Sequence, residues 1–182
     1  MTVTLSRRRF ARAAFVGALG ALATAAGATT VAMLYPRRGN SRVELLVPRD
    51  RVPAPGGPPL FVAAGRLFLV NLARGEGFEP PVSGGASRGL LAVSARCTHL
   101  NCTVRWRPDY QLGMLEDSQF LVCACHAGIF TRAGVRVFGP PPRSLDTFAV
   151  RVTALGDVVV DTRAVRVGDM RNPQRAVPWP AG

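Results

Sequence analysis

The sequence predicts an all-β head of mostly antiparallel sheet behind one N-terminal transmembrane helix. Three observations predict it. Residues Ala13 to Pro36 carry no charge. After them the apolar residues alternate or run in short blocks, and no amphipathic helical pattern recurs. Glycine and proline make up 34 of the 182 residues, a loop-rich proportion suited to short strands joined by turns. The length allows one core-bearing domain, and a hydrophobic fraction of 48% argues against disorder.

The chain begins with "SRRRF", a serine followed by Arg7, Arg8 and Arg9, and then "ARAAFVGALGALATAAGATTVAMLYP". At about 1.5 Å per residue, a helix over residues 13–36 is long enough to cross about 30 Å of hydrocarbon. The start resembles a twin-arginine export signal, with Arg7 and Arg8 as the arginine pair, and that pathway moves proteins already folded. Residues 1–12 are thus expected in the cytoplasm, with 13–36 as an uncleaved signal anchor in a prokaryotic cell membrane. The head then lies on the periplasmic or extracellular side. "AGA" at residues 26–28 has the small-residue pattern of a signal-peptidase site, which is the competing reading. Residues 37–42, with Gly39, Asn40 and Ser41, read as a hinge linker.

The net charge of +12 invites a nucleic-acid reading, but the cations are scattered arginines and the chain has no lysine. No nucleic-acid partner is expected. The head spans 43–167. "VELLV" is followed by the proline-rich 48–59, and "LFVAAGRLFLVNL" reads as one or two strands around Gly65. Residues 74–89 have no periodicity and read as a long surface loop. "LLAVSA" leads as a strand into a cysteine motif. "TFAVRV" places Phe148, Val150 and Val152 on one face, then "ALGD" turns into "VVVDT", a hairpin with one buried side. Trp106 reads as core. The tail, 168–182, receives no assignment.

All four cysteines and both histidines fall in "CTHLNC" (97–102) and "CACH" (123–126). Cys97 and His99 can project from one turn, and Cys123 and His126 from a second. Two such loops facing one another supply two sulfurs and two nitrogens, a set that zinc accepts. Zinc leaves Cys102 and Cys125 without a task, whereas exported chains commonly pair spare cysteines. One metal site, two disulfides, or both at once remain open on the residues alone.

The two boxes resemble those of the Rieske iron-sulfur proteins of cytochrome bc type, C-T-H-L-x-C and C-x-C-H. "FGPPPRSLDTFAVRV" resembles that family's glycine-proline loop and its return strand. The resemblance implies a Rieske-type sandwich or barrel head with a small cluster-binding subdomain at about 95–143. It implies a 2Fe-2S cluster with Cys97 and Cys123 on one iron, His99 and His126 on the other, and a Cys102–Cys125 disulfide. Leu100, Gly139, Pro140, Pro141 and Pro142 shield the cluster, and His126 meets the quinol. By the same likeness the chain is the iron-sulfur subunit of a quinol:cytochrome c oxidoreductase, with cytochrome b-type and c-type partners, a quinol substrate and a bilayer around its anchor. Competing readings are the small Rieske subunit of an arsenite-oxidase-type molybdenum enzyme and an exported zinc domain without catalysis. The chain departs from mitochondrial-type members at Gly128 and Phe130, where those members carry a serine and a tyrosine that donate hydrogen bonds to sulfur. Losing donors that stabilise the reduced cluster predicts a low potential and a menaquinol-like donor.

Overall fold

A computed structural model describes residues 6–34, 44–73, 88–110, 112 and 120–179. The chain divides into two units, Met1–Ser41 and Arg42–Gly182. The first contains one helix, α1 (Arg7–Leu34), with no buried residue. It begins ahead of the uncharged run because arginine is a good helix former and nothing in the first turn stops the helix. Thr24, Thr29 and Thr30 donate their hydroxyls to carbonyls three or four residues earlier, so the polar side chains of this apolar segment are satisfied within it. Hydrocarbon requires that. The helix is long and apolar enough to cross a membrane, by length and composition. The expected hinge at 37–42 and most of the expected loop at 74–89 lie outside the described residues.

The second unit is β-rich. Its strands are β1 (Glu44–Val47), β2 (Leu60–Val62), β3 (Leu67–Leu72), β4 (Gly89–Ser94), β5 (Val104–Arg107), β6 (Phe120–Cys123), β7 (Gly128–Phe130), β8 (Arg136–Phe138), β9 (Thr147–Val152) and β10 (Val158–Arg166). Six form one sheet in the order β1-β10-β9-β4-β3-β2, and four form a second in the order β5-β6-β7-β8. Neighbouring strands are antiparallel, as in Val47↔Val158 and Leu121↔Phe130. Helical structure among the described residues of this unit is limited to short 3-10 turns.

Strands β3 and β4 show why some apolar runs lacked alternation: every residue of both is buried. One face of the larger sheet supplies Phe68, Val70, Leu72, Leu91 and Val93 to a core shared with Val104, Leu121, Cys123 and Phe130 of the smaller sheet. The other face supplies Leu67, Leu69, Leu90 and Ala92 to a second core with Val47, Val158 and Val160. The expected β9–β10 hairpin is present, and Phe148, Val150 and Val152 pack on that second core. Trp106 packs on the first core, with the Arg132 guanidinium 5.7 Å from its ring centroid.

The unassigned tail is structural. Asn172 is fully buried and donates through Nδ2 to the carbonyls of Ala133 (3.2 Å) and Leu145 (2.8 Å), tying the β7–β8 turn to the segment leading into β9. Val177 then bridges Leu90 at the start of β4, and Trp179 packs on the second core.

Candidate metal centre

Two hairpin tips and a proline loop meet at one end of the smaller sheet. The first tip is closed by the Cys97 N–H donating to the Cys102 carbonyl (2.8 Å) and the Asn101 N–H donating to the Cys97 carbonyl (2.9 Å). An Arg96↔Thr103 bridge closes its base. Asn101 turns the chain in the left-handed region at φ 61°, which asparagine tolerates better than most residues. The second tip connects β6 to β7, with Cys123 paired to Gly128. Ala127, next to His126, also has a positive φ of 52°.

The proline loop closes against the second tip. A Cβ on Gly139, whose φ is 93°, would lie 2.6 Å from the Ala127 carbonyl oxygen, and one on Gly128 would lie 2.6 Å from Cγ of Pro141. Pro141 is buried while Pro140 and Pro142 are exposed, so only the middle proline packs inward. The Thr98 hydroxyl donates to the Arg143 carbonyl (2.7 Å), linking the first tip to the same loop. Arg143 forms a two-point pair with Asp146. Asp146 also accepts from the Gly168 N–H (2.9 Å).

Within this frame the six chemical side chains converge. Cys102 and Cys125 form a disulfide, with Cα atoms 6.6 Å apart, that ties one tip to the other. Cys97 and Cys123 are free and buried. The rings of His99 and His126 stand edge to face, 4.9 Å between centroids. His99 is half-buried and His126 exposed. The sulfurs of Cys102, Cys123 and Cys125 lie within 4.8 Å of one another, but disulfide sulfurs are not thiolates, so this trio cannot act as a ligand set. The thiols and imidazoles left over are Cys97, Cys123, His99 and His126.

These residues fit an iron-sulfur group on two structural observations. Nδ1 of His99 is buried without a hydrogen-bond partner, a costly state that a metal bond removes. Burial pushes the Cys97 thiol above its ordinary pKa, and the facing Cys123 adds to this. The backbone N–H groups of His99 and Leu100 pull the other way. A buried thiol so placed becomes a thiolate when a cation compensates it.

Residues 65–149 match the family model of the Rieske [2Fe-2S] domain. The chain carries a Rieske [2Fe-2S] domain. Its cofactor is a Rieske-type 2Fe-2S cluster. The chain is 37% identical over 71 residues to a cytochrome b6-f complex iron-sulfur subunit of Chlorobaculum tepidum, covering 39% of this chain and 34% of that relative. It is 36% identical over 64 residues to a menaquinol:cytochrome c reductase iron-sulfur subunit of Geobacillus thermodenitrificans, covering 35% of each. The chain thus spans about a third of the length of these curated relatives. The solved structure of the cyanobacterial plasma membrane Rieske protein PetC3 from Synechocystis PCC 6803 overlaps 57% of this chain and 98% of its own, at 24% identity and a TM-score of 0.34.

Around the centre of this Rieske domain, Leu100 is 64% exposed at the tip of the first loop. Phe130 is fully buried in the core between the sheets, and Gly128 is enclosed by Pro141. Three contributors escaped sequence reasoning. Ala127 gives no sign of its left-handed backbone, and Arg132, in a stretch of turn residues, gives none of its burial over Trp106. The Arg143–Asp146 pair has the i, i+3 spacing that could have revealed it.

Proposed function

We propose that this chain is a membrane-anchored electron-transfer subunit that takes an electron and a proton from a quinol, of menaquinol type, and passes the electron to a c-type cytochrome. The observation that carries the reading is the unequal burial within the site: the thiols of Cys97 and Cys123 are buried, while of the two neighbouring imidazoles His99 is half-buried and His126 exposed. Cys97 and Cys123 would hold the inner iron, and His99 and His126 the outer one. The bound cluster supplies one-electron chemistry at a potential raised by two neutral imidazoles standing where all-cysteine clusters have thiolates.

The protein residues do the rest. His126 faces solvent, so its second nitrogen can accept a hydrogen bond from a quinol hydroxyl and take up its proton. Leu100, also exposed, offers apolar contact to a quinol ring. Pro141, Gly139 and the Cys102–Cys125 disulfide hold the tips so that an exposed cluster keeps its ligands. Arg7 and Arg8 would serve export of the folded head, and α1 would anchor it. The cytochrome b6-f and menaquinol:cytochrome c reductase subunits above support b-type and c-type cytochrome partners.

The test is purification of the intact membrane complex followed by quinol oxidation. A cytochrome b and a c-type cytochrome should co-purify, and His126→Ala should abolish menaquinol-dependent cytochrome reduction. Co-purification of a molybdopterin subunit would contradict the proposal.

A further inference from the structure

We propose that the exposed tip of the Rieske head is a docking surface for an acidic partner, so that the electron acceptor presents carboxylates around its own redox edge. This rests on the reading above that the head gives its electron to a cytochrome. The tip has an apolar centre and a cationic rim. Leu100 and Phe138 are 64% and 56% exposed, beside the exposed Pro140 and Pro142. Arg96 is exposed at the base of the first ligand loop and forms no ion pair among the described residues. It shares a recess of about 310 Å³ with Thr98, His99, Leu100 and Arg143. Arg136 is exposed and donates from Nη2 to the Gly139 carbonyl (2.7 Å), which places its guanidinium on the proline loop.

Among the described residues, the carboxylate that lines this recess, Asp146, is engaged by Arg143. From residue 88 to residue 143 the sequence has seven arginines against three acidic residues, of which Glu116 and Asp117 lie outside the described residues. An exposed apolar patch ringed by arginine has the anatomy of a protein interface. Guanidiniums around it that form no ion pair among the described residues favour a partner of opposite sign through encounter rate as well as contact. A carboxylate of such a partner can enter the recess beside Arg96, because Asp146, which also lines it, is paired to Arg143.

The experiment uses the full-length, cluster-loaded protein in neutral detergent. It is pre-reduced and mixed by stopped flow with two soluble monohaem cytochromes c of matched potential, one acidic and one basic. At low ionic strength the acidic cytochrome should oxidise the protein about tenfold faster or more, and its rate should fall as salt is raised past the screening range. The double variant Arg96→Glu, Arg136→Glu should lose about tenfold with the acidic cytochrome and flatten the salt slope, while retaining cluster absorbance and midpoint potential. If that variant does not assemble the cluster, Arg96→Gln and Arg136→Gln separately should each weaken the salt slope. Faster oxidation by the basic cytochrome, or rates independent of salt, would overturn the proposal. Oxidation by neither cytochrome would instead strike down the acceptor reading on which it rests. In lipid nanodiscs, a rate lost with anionic lipid and restored by the double variant would assign the rim to the bilayer and also overturn the proposal.

Discussion

A methyl group at position 139 has nowhere to go. The backbone is in the left-handed region at φ 93°, and the added carbon would sit 2.6 Å from the Ala127 carbonyl oxygen and 3.0 Å from the Gly128 Cα. Backbone strain of this kind costs about 1–3 kcal/mol before the clash is counted. Gly139→Ala should therefore loosen the proline loop from the second tip, lowering the melting temperature and speeding cluster loss in an absorbance time course. Unchanged cluster retention would mean the loop does not close the site. At position 130 the missing group is a hydrogen-bond donor. Phe130→Tyr adds a hydroxyl within the buried core, and one hydrogen bond to a charged group is worth about 1.5–3 kcal/mol. If the hydroxyl reaches a ligand sulfur, a one-electron potential should rise by about 60–130 mV, which a redox titration of the variant reads directly. Gly128→Ser is a poorer probe, because its Cβ would first have to displace Pro141. The sequence showed that the donors were missing at 128 and 130. The proline packed into the vacated space could not be seen, since no local pattern records a contact across 13 residues.

At the scale of elements, the disulfide and the tail are the two clamps. Cys102 and Cys125 close a loop of sequence separation 23, for which chain entropy gives about 3 kcal/mol of stabilisation. The Cys102→Ala, Cys125→Ala protein should unfold at lower denaturant by about that amount and release its cluster faster, as seen by absorbance during a urea titration. Asn172→Ala should cost about 3 kcal/mol in the same assay, because it leaves the buried carbonyls of Ala133 and Leu145 without donors. A loss below about 0.5 kcal/mol would show that the tail does not clamp the β7–β8 turn. The elements that carry chemistry were legible because their residue types are rare and concentrated in two boxes. The β9–β10 hairpin was legible from period two. Strands β3 and β4 were visible only as apolar runs, since burial on both faces erases alternation. The tail was not legible, because Asn172 acts through long-range contacts and nothing in "GDMRNPQR" has a local period.

At the scale of the whole molecule, the chain joins an apolar helix to a β head whose cysteines and histidines come together at the loop end of the smaller sheet. The absence of hydroxyl donors at 128 and 130 predicts a midpoint potential in the lower half of the range of roughly −150 to +300 mV open to Rieske centres. A redox titration of the purified protein checks this, and a value near the upper limit would contradict the menaquinol-type assignment. In the sequence the arginines read as scattered, and only the folded tip reveals which of them stand together. The claim beneath all of this is the ligand set of Cys97, His99, Cys123 and His126 on one 2Fe-2S cluster. Electron paramagnetic resonance with electron nuclear double resonance, on reduced full-length protein carrying 15N-labelled histidine, tests it most directly. A Rieske-type spectrum with two strongly coupled imidazole nitrogens, one lost in His126→Cys, is the expected result. A silent reduced protein that contains zinc, or a spectrum with no histidine nitrogen coupling, would contradict it.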